Sequence, residues 1–276
     1  MESILNKHKR QPKIYVDVPS EFKFIDNKAV PGVSFKELPV YSMTGGDEIA
    51  LKTPEALLNG VAIKNLIQSC IPSIKDAGEL SSIDIEFLLI AIRIASYGND
   101  FSKGSVCPHC QEDNNHDLEL GKFIDDYGRK DFVDNVTINN LKFYIRPLTY
   151  NEWTEIQTSL FQANRTMYQI TEQPDMSEEK KDEIAKSVFT IIQSINQRNV
   201  LYQVYKVKDG EEEETNLNAI RAFILEEDRT YFNGIEDLIK INTATWDLPK
   251  LDLTCGGCEK QYKSVFSMDD SNFFVG

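Results

Sequence analysis

Hydrophobic residues recur early in this chain with the spacing of a helix. Thr53 can cap a helix that has Pro54 at its first position, and Pro72 ends it. One face of this helix carries an apolar stripe, which consists of Ile63, Leu66, Ile67 and Cys70. We therefore predict an amphipathic helix that packs on a core and buries Cys70 as an unreactive side chain.

A second helix, predicted after the capping pair Ser81 and Asp84, has no polar face. From Phe87 to Ala95 it is apolar on every side except at Arg93, and such a helix is buried over most of its surface. A lone buried charge must be paired or reach the surface. We expect Arg93 to form a structural ion pair or to bind a backbone carbonyl; partner binding is the alternative.

The rest of the chain alternates between strand and helix patterns. Strands are predicted over residues 116–120, 136–138, 141–145, 200–207, 251–254 and 261–266. Asn139-Asn140 is typical of a hairpin turn, and the run Glu211 to Glu214 is typical of a solvated loop. Two short helices are predicted over 217–242. A helix from the Thr149–Glu152 capping box to about Phe161 is predicted, and another after Ser177, the latter with an apolar face of Ile184, Val188, Ile191, Ile192 and Ile195.

The first 50 residues show neither the helix pattern nor the strand pattern of hydrophobic residues. Short apolar runs such as residues 14–16 are interrupted by Pro12, Pro19, Pro31 and Pro39. Proline prevents a continuous helix and the pairing of a central strand. We predict that residues 1–50 are an extended N-terminal arm that packs on something else, such as another subunit.

Charge and composition narrow the classes of function. The chain is 41% hydrophobic and carries 30 Lys and Arg residues against 44 Asp and Glu, a net charge of -14. Such a field repels phosphate backbones, and the nearest basic cluster is the short segment 7–10, so we expect no nucleic-acid partner. No run of about 18 apolar residues predicts a membrane span, and the N-terminus lacks a signal-peptide core.

Two Cys-x-x-Cys pairs carry the strongest chemical signal. Cys107 and Cys110 form the first pair, and Cys255 and Cys258 the second. Each pair lies between strand-like segments, as in a zinc knuckle, and two knuckles form the halves of a zinc ribbon. Tight turns let backbone amides point at the sulfurs, and Gly256-Gly257 would allow that geometry. We predict one structural Zn²⁺ ion held by all four thiolates.

Other interpretations of the cysteines and their neighbours remain open at this point. Cys107 and Cys110 have the spacing of a thiol redox site, but such a site starts a helix, and the residues after Cys110 are acidic and loop-like. His109 or His116 could replace a cysteine as ligand. A ribbon that binds nucleic acid is a further alternative. No Ser-His-Asp constellation and no phosphate-binding loop is apparent, so we expect no enzyme.

A group of segments is informative when taken together: residues 38–42, 51–60, 70–72, 88–98 and the first cysteine pair at 107–110, with the second pair at 255–258 in support. These segments resemble the baseplate hub assembly proteins of T-even-like contractile-tailed bacteriophages. The run Arg-Ile-Ala-Ser-Tyr-Gly before a zinc knuckle is the most specific part of these segments. The resemblance is densest over residues 35–120 and loose over 125–245.

The resemblance implies a non-enzymatic protein of tail morphogenesis. Such a protein acts through contacts with other baseplate hub or tail proteins, or with further copies of itself, in the host cytoplasm during assembly or in the virion tail baseplate. For the fold we predict an α+β protein with a split Cys₄ zinc ribbon. Its parts are an arm (1–50), a helical region (51–100), two ribbon halves (101–124 and 246–276) and an α+β insertion (125–245).

Overall fold

Helices and antiparallel strands are mixed along the whole chain, which confirms the α+β prediction. The structure is a computed structural model, and it describes residues 8–26, 28–52, 59–128, 130–171, 176–248, 250–266, 268 and 273–274. The predicted helix start at Thr53 and Pro54 lies outside these residues. Among the described helices, none is long and apolar enough to cross a membrane.

The first and larger core is built around one buried helix. Its elements are β1 (Pro12–Val16), β2 (Leu38–Tyr41), α1 (Gly45–Leu51), α2 (Val61–Cys70), α3 (Ser82–Tyr97) and α4 (Leu120–Tyr127). Helix α3 is the predicted helix without a polar face, and Leu88, Ile90 and Ile92 on it are fully buried. Cys70 is also fully buried, and this burial raises the pKa of its thiol to about 12. The thiol is therefore protonated and unreactive, as predicted.

The N-terminal segment packs into this core. Val16, Val18, Leu38 and Val40 are buried, and β1 pairs with β2 in an antiparallel sheet. Pro12 in β1 and Pro39 in β2 are tolerated because a two-stranded sheet consists of edge strands alone. The described part of the predicted arm is therefore held by the chain itself; an additional contact with another subunit stays a prediction.

The predicted capping pair at the start of α3 is wrong. Ser81 precedes the helix, but its side chain makes no capping hydrogen bond. Asp84 is fully buried, and its carboxylate accepts hydrogen bonds from the backbone N–H and the hydroxyl of Ser20. Desolvation raises the pKa of Asp84 to about 7, although the Ser20 donors act in the opposite direction. The acid ties the N-terminal segment to α3.

Arg93 lies in the same helix and is almost completely buried. Its guanidinium donates a hydrogen bond to the carbonyl of Gly98, at 3.3 Å, and lies 4.7 Å from the centroid of the Tyr97 ring and 5.8 Å from that of Phe101. Of the two structural roles that we expected, the bond to a backbone carbonyl is the one present. The aromatic rings supply the rest of its surroundings through cation–π contacts.

A second core lies between a four-stranded sheet and two helices. The sheet has the order β5-β6-β7-β8, from β5 (Asn135–Ile138), β6 (Leu141–Ile145), β7 (Val204–Asp209) and β8 (Glu212–Glu214), and it packs on α7 (Leu217–Glu226) and α8 (Arg229–Trp246). The Asn139-Asn140 turn is confirmed, and both residues have positive φ, as its turn type requires. The predicted strand over 200–207 begins only at Val204, and part of the predicted glutamate loop is the exposed edge strand β8.

Two long helices, α5 (Tyr150–Thr171) and α6 (Glu178–Gln203), connect β6 with β7 and pack against each other. We call them the helical hairpin. The Thr149–Glu152 capping box is confirmed, with Thr149 N–H donating to the Glu152 carboxylate and Glu152 N–H to the Thr149 hydroxyl. The buried stripes repeat every seven residues, at Ile156, Ala163 and Ile170 and at Val188 and Ile195. The predicted apolar face of α6 is wrong at Ile191, which is 46% exposed.

Candidate metal centre

Each cysteine pair lies at the tip of a β-hairpin. The first hairpin pairs β3 (Asp100–Val106) with β4 (Asp113–Glu119), and the second pairs β9 (Lys250–Thr254) with β10 (Gln261–Val265). Alternation along the strands buries Phe101 on the first hairpin and Leu253 and Tyr262 on the second. The two hairpins are therefore positioned by apolar side chains, and their tips meet.

The two turns repeat one backbone pattern. Cys107 N–H donates to the carbonyl of Glu112 and Cys255 N–H to that of Lys260. The residue after each second cysteine, Gln111 or Glu259, has a positive φ and donates back to the first cysteine of its pair. Backbone amides of the second turn do point at Cys255 Sγ, as we expected, but without a left-handed glycine, because neither glycine of the second pair has a positive φ.

Gly257 has another role, which is to leave room for the opposite hairpin. A Cβ atom at Gly257 would lie 3.3 Å from Cγ of Glu112, which belongs to the first hairpin. Such a contact is tighter than most Cβ contacts, so the exposed Glu112 side chain would have to shift by a few tenths of an ångström to make room for a larger residue.

The four thiols form one cluster although the pairs are far apart in the chain. Cys107 Sγ lies 3.7 Å from Cys258 Sγ, and Cys110 Sγ lies 3.5 Å from Cys255 Sγ. All four sulfur atoms lie within 4.8 Å of one another, and all four cysteines are free of disulfides. Four thiolates around a tetrahedral zinc, with Zn–S bonds of about 2.3 Å, have sulfur atoms about 3.8 Å apart. The cluster has the composition and size to hold a metal ion.

Hydrogen bonds to the sulfur atoms favour the thiolate form at Cys255 but not at Cys110. At Cys110 the backbone bond from Glu112 lowers the pKa, but the hydrogen bonds with the other cysteines and desolvation outweigh it and raise the pKa to about 12. The backbone N–H of His109 donates to Cys107 Sγ at 3.4 Å, and that of Cys258 donates to Cys255 Sγ at 3.5 Å. The Cys258 N–H is the main cause that lowers the pKa of Cys255 to about 6. Asn114 reaches across from the first hairpin, donates to Cys255 Sγ at 3.6 Å and accepts from Gly256 N–H at 2.7 Å.

Both histidines near the cluster have other partners. His116 Nε2 hydrogen-bonds with the Tyr262 hydroxyl at 3.1 Å, and that hydroxyl also contacts Ser105 Oγ at 2.6 Å. His109 Nε2 lies 3.4 Å from the carbonyl oxygen of Gln261. The group that could hold a metal therefore consists of cysteines, with both histidines outside it.

Sequence reasoning identified the four cysteines but missed Asn114 and Tyr262. Asn114 lies in a polar stretch whose composition predicts only a loop, and it donates a hydrogen bond to a sulfur 141 residues away in the chain. Tyr262 looks like an ordinary strand residue, and its polar partners come from the other hairpin. Neither role has a local signal, because each depends on how the two hairpins meet.

The redox alternative required a helix after the first cysteine pair. In the structure the pair ends in a turn, and β4 begins at Asp113. The arrangement is strand, turn and strand in both hairpins, so neither pair has a helix dipole to activate a thiol. This geometry favours metal binding over thiol exchange.

Comparison with known protein families agrees with the resemblance in the sequence. The chain belongs to the family described as T4 bacteriophage base plate protein, whose sequence model matches residues 26–275. A search of curated proteins found no match, and neither did a search of solved structures. The match includes both cysteine pairs, the second core and the part of the first core that follows residue 25, and the resemblance to T-even-like baseplate proteins is confirmed at the level of this family.

Family membership supports a structural role in the phage baseplate. It implies contacts with other tail or baseplate proteins and a place in the virion tail. The four cysteines of the cluster all lie inside the matched region.

Proposed function

We propose that this protein is a non-enzymatic component or assembly factor of the baseplate hub. It acts through protein–protein contacts, either in the host cytoplasm while the hub is built or as a subunit that stays in the finished baseplate. The observation that carries the proposal is the family match over residues 26–275, nearly the whole chain. The earlier resemblance, densest over residues 35–120, is what points to the hub in particular.

In this proposal the cysteine cluster holds one structural Zn²⁺ ion, and the two hairpins are the halves of a split zinc ribbon. Four thiolates fill the four positions that structural zinc prefers, whereas catalytic zinc keeps one position for water. The ion would join residue 107 to residue 258 and so close the chain around the second core and the helical hairpin. Its role is to fix the shape that the partners recognise.

The experiment that tests the role is a pull-down of the tagged protein from infected cells, followed by mass spectrometry. The proposal predicts recovery of hub or other tail proteins, and it predicts that a phage with the gene disrupted makes heads but no complete baseplates. Recovery of nucleic acid or of a turned-over small molecule, with no tail protein, would overturn it. Comparison of assembly intermediates with finished virions separates an assembly factor from a resident subunit.

A further inference from the structure

The helical hairpin differs in charge from the rest of this acidic chain. Its two helices carry six acidic and five basic residues, whereas the chain has a net charge of -14. Residues 187–197 of α6 include no charged residue, and residues 156–170 of α5 include only Arg165. The centres of protein interfaces are depleted of charge in this way and enriched in aromatic residues and methionine. The hairpin is therefore where two such chains can meet without strong repulsion.

One face of α6 carries an exposed aromatic residue next to a notch. Phe189 is 61% exposed, and the positions four, seven and eight residues further along, Gln193, Asn196 and Gln197, share its side of the helix. These three residues form the floor of a notch of about 350 Å³. Its walls come from α7, α8 and the short link between them, where Ile224, Leu225 and Phe232 are apolar and Glu227, Arg229 and Glu236 are charged.

The aromatic residue and the notch are arranged so that the face can pair with itself. Phe189 precedes the floor of the notch by four to eight residues, which is about 6–12 Å along the helix. If two copies pack face to face about a two-fold axis between these points, Phe189 of each copy lies opposite the notch of the other. Self-complementary contacts of this kind define the interfaces of two-fold dimers.

We propose that the helical hairpin is a dimerisation surface, in which Phe189 of one copy enters the notch between α6, α7 and α8 of a second copy of this chain. The available area is sufficient. Helix α5 alone spans about 33 Å, and two adjacent helices are about 20 Å wide, so one face offers about 660 Å². Two copies together bury about 1,300 Å², which lies within the range of specific interfaces. The product is a four-helix assembly built from two hairpins.

Analytical ultracentrifugation of the purified, metal-loaded full chain tests this proposal. We expect a concentration-dependent dimer, and we expect Phe189→Ser to weaken dimerisation at least about tenfold, because a buried phenylalanine side chain is lost from each half of the interface. Gln193→Glu should act in the same direction, since it adds a third carboxylate to a notch that already contains Glu227 and Glu236. Both positions are exposed, so the circular dichroism spectrum should be unchanged, and so should the melting temperature at concentrations where the chain is monomeric.

Ile191→Ser is the matched control. Ile191 is exposed like Phe189 but lies about 200° around the helix from it, on the other side of α6. The dimer should survive this change. A wild-type chain that stays monomeric at high micromolar concentration would overturn the proposal, and so would equal weakening by the Ile191 and Phe189 variants. Because only the purified chain is used, either outcome leaves the baseplate role to be judged by the pull-down.

Discussion

The core around α3 and the pair of cysteine hairpins reach a fixed structure by different means. The first core contains many completely buried aliphatic side chains, among them Leu66, Ile67, Leu88 and Ile90. The cluster around the hairpin tips has Leu253 and Tyr262 as its only buried hydrophobic residues apart from cysteines, among the described part of the chain. The hairpins are too small to be held by apolar burial alone, as is usual for metal-dependent modules.

The contrast shows which region can lose a single side chain and still keep its structure. Apolar burial in the first core is spread over many side chains, so that no single one of them decides its structure. The hairpin tips depend on four thiols at one point. The two regions are joined by Phe101 and Phe266, whose ring centroids lie 5.9 Å apart, so part of the hairpin base belongs to the larger core.

Removal of the metal should have the largest effect, and it should be local. Structural zinc contributes about 10–16 kcal/mol of apparent binding energy in small finger peptides. Chelation should therefore abolish hydrogen-exchange protection at the turns around Cys107 and Cys255, while α3 keeps its protection because its burial does not involve the thiols. Equal loss of protection in both regions would show that the first core also depends on the metal.

Truncation of a core side chain should have the next largest effect. It should destabilise the first core and leave the cysteine cluster unaffected. Leu88 is fully buried, so Leu88→Ala leaves a cavity and should lower the free energy of unfolding by about 2–5 kcal/mol. Ile49→Ala, at a position that is 71% exposed, is the control and should change it by less than about 0.5 kcal/mol. Denaturant titration measures both. Metal content should stay the same in each variant; a loss in Leu88→Ala would show that the regions are strongly coupled.

Replacement of the buried arginine should cost less. Arg93→Leu leaves the Gly98 carbonyl without its side-chain donor and removes the contacts with the Tyr97 and Phe101 rings, which should cost about 1–3 kcal/mol. The comparison is Arg198→Leu, which removes a more exposed pair with Glu155 and should cost about 1 kcal/mol or less. If both variants lose the same stability in thermal unfolding, burial gives Arg93 no special role.

The smallest effect concerns pH. Because the pKa of Asp84 is raised to about 7, the folded state holds a proton that the unfolded state releases above its usual pKa of about 4. The contribution of Asp84 to stability should therefore fall as pH rises from about 4 to about 7 and level off above the folded pKa; between about pH 5.5 and pH 7 the fall should be about 1–2 kcal/mol. Asp84→Asn removes this titration, so its stability should decline less over the same range. Parallel curves for both proteins would contradict the assignment.

How far the sequence predicts this structure depends on how local each signal is. The burial of α3, the Asn139-Asn140 turn and the Thr149–Glu152 capping box follow from neighbouring residues, and all three are present. One error arises where a distant residue takes part. Asp84 binds Ser20 instead of serving as a cap.

In the candidate site, too, the features set by neighbouring residues were predictable and those set by distant residues were not. The spacing of the cysteines predicts two turns and a shared cluster, and the structure brings the four sulfurs together. The positive φ of Gln111 and Glu259 was not predictable from residue type, because such a backbone conformation is uncommon outside glycine and asparagine. The contact of Asn114 with Cys255 depends on the packing of two hairpins and has no counterpart in either local sequence.

Metal stoichiometry tests the central claim most directly. Native mass spectrometry of the purified chain, combined with elemental analysis, should find one zinc ion per chain. Cys110→Ser and Cys258→Ser, one from each hairpin, should each lower the zinc content, whereas Cys70→Ser, which alters the buried cysteine outside the cluster, should leave it unchanged. A chain without zinc, or one in which variants of only one hairpin lose the metal, would contradict a single ion shared by both hairpins.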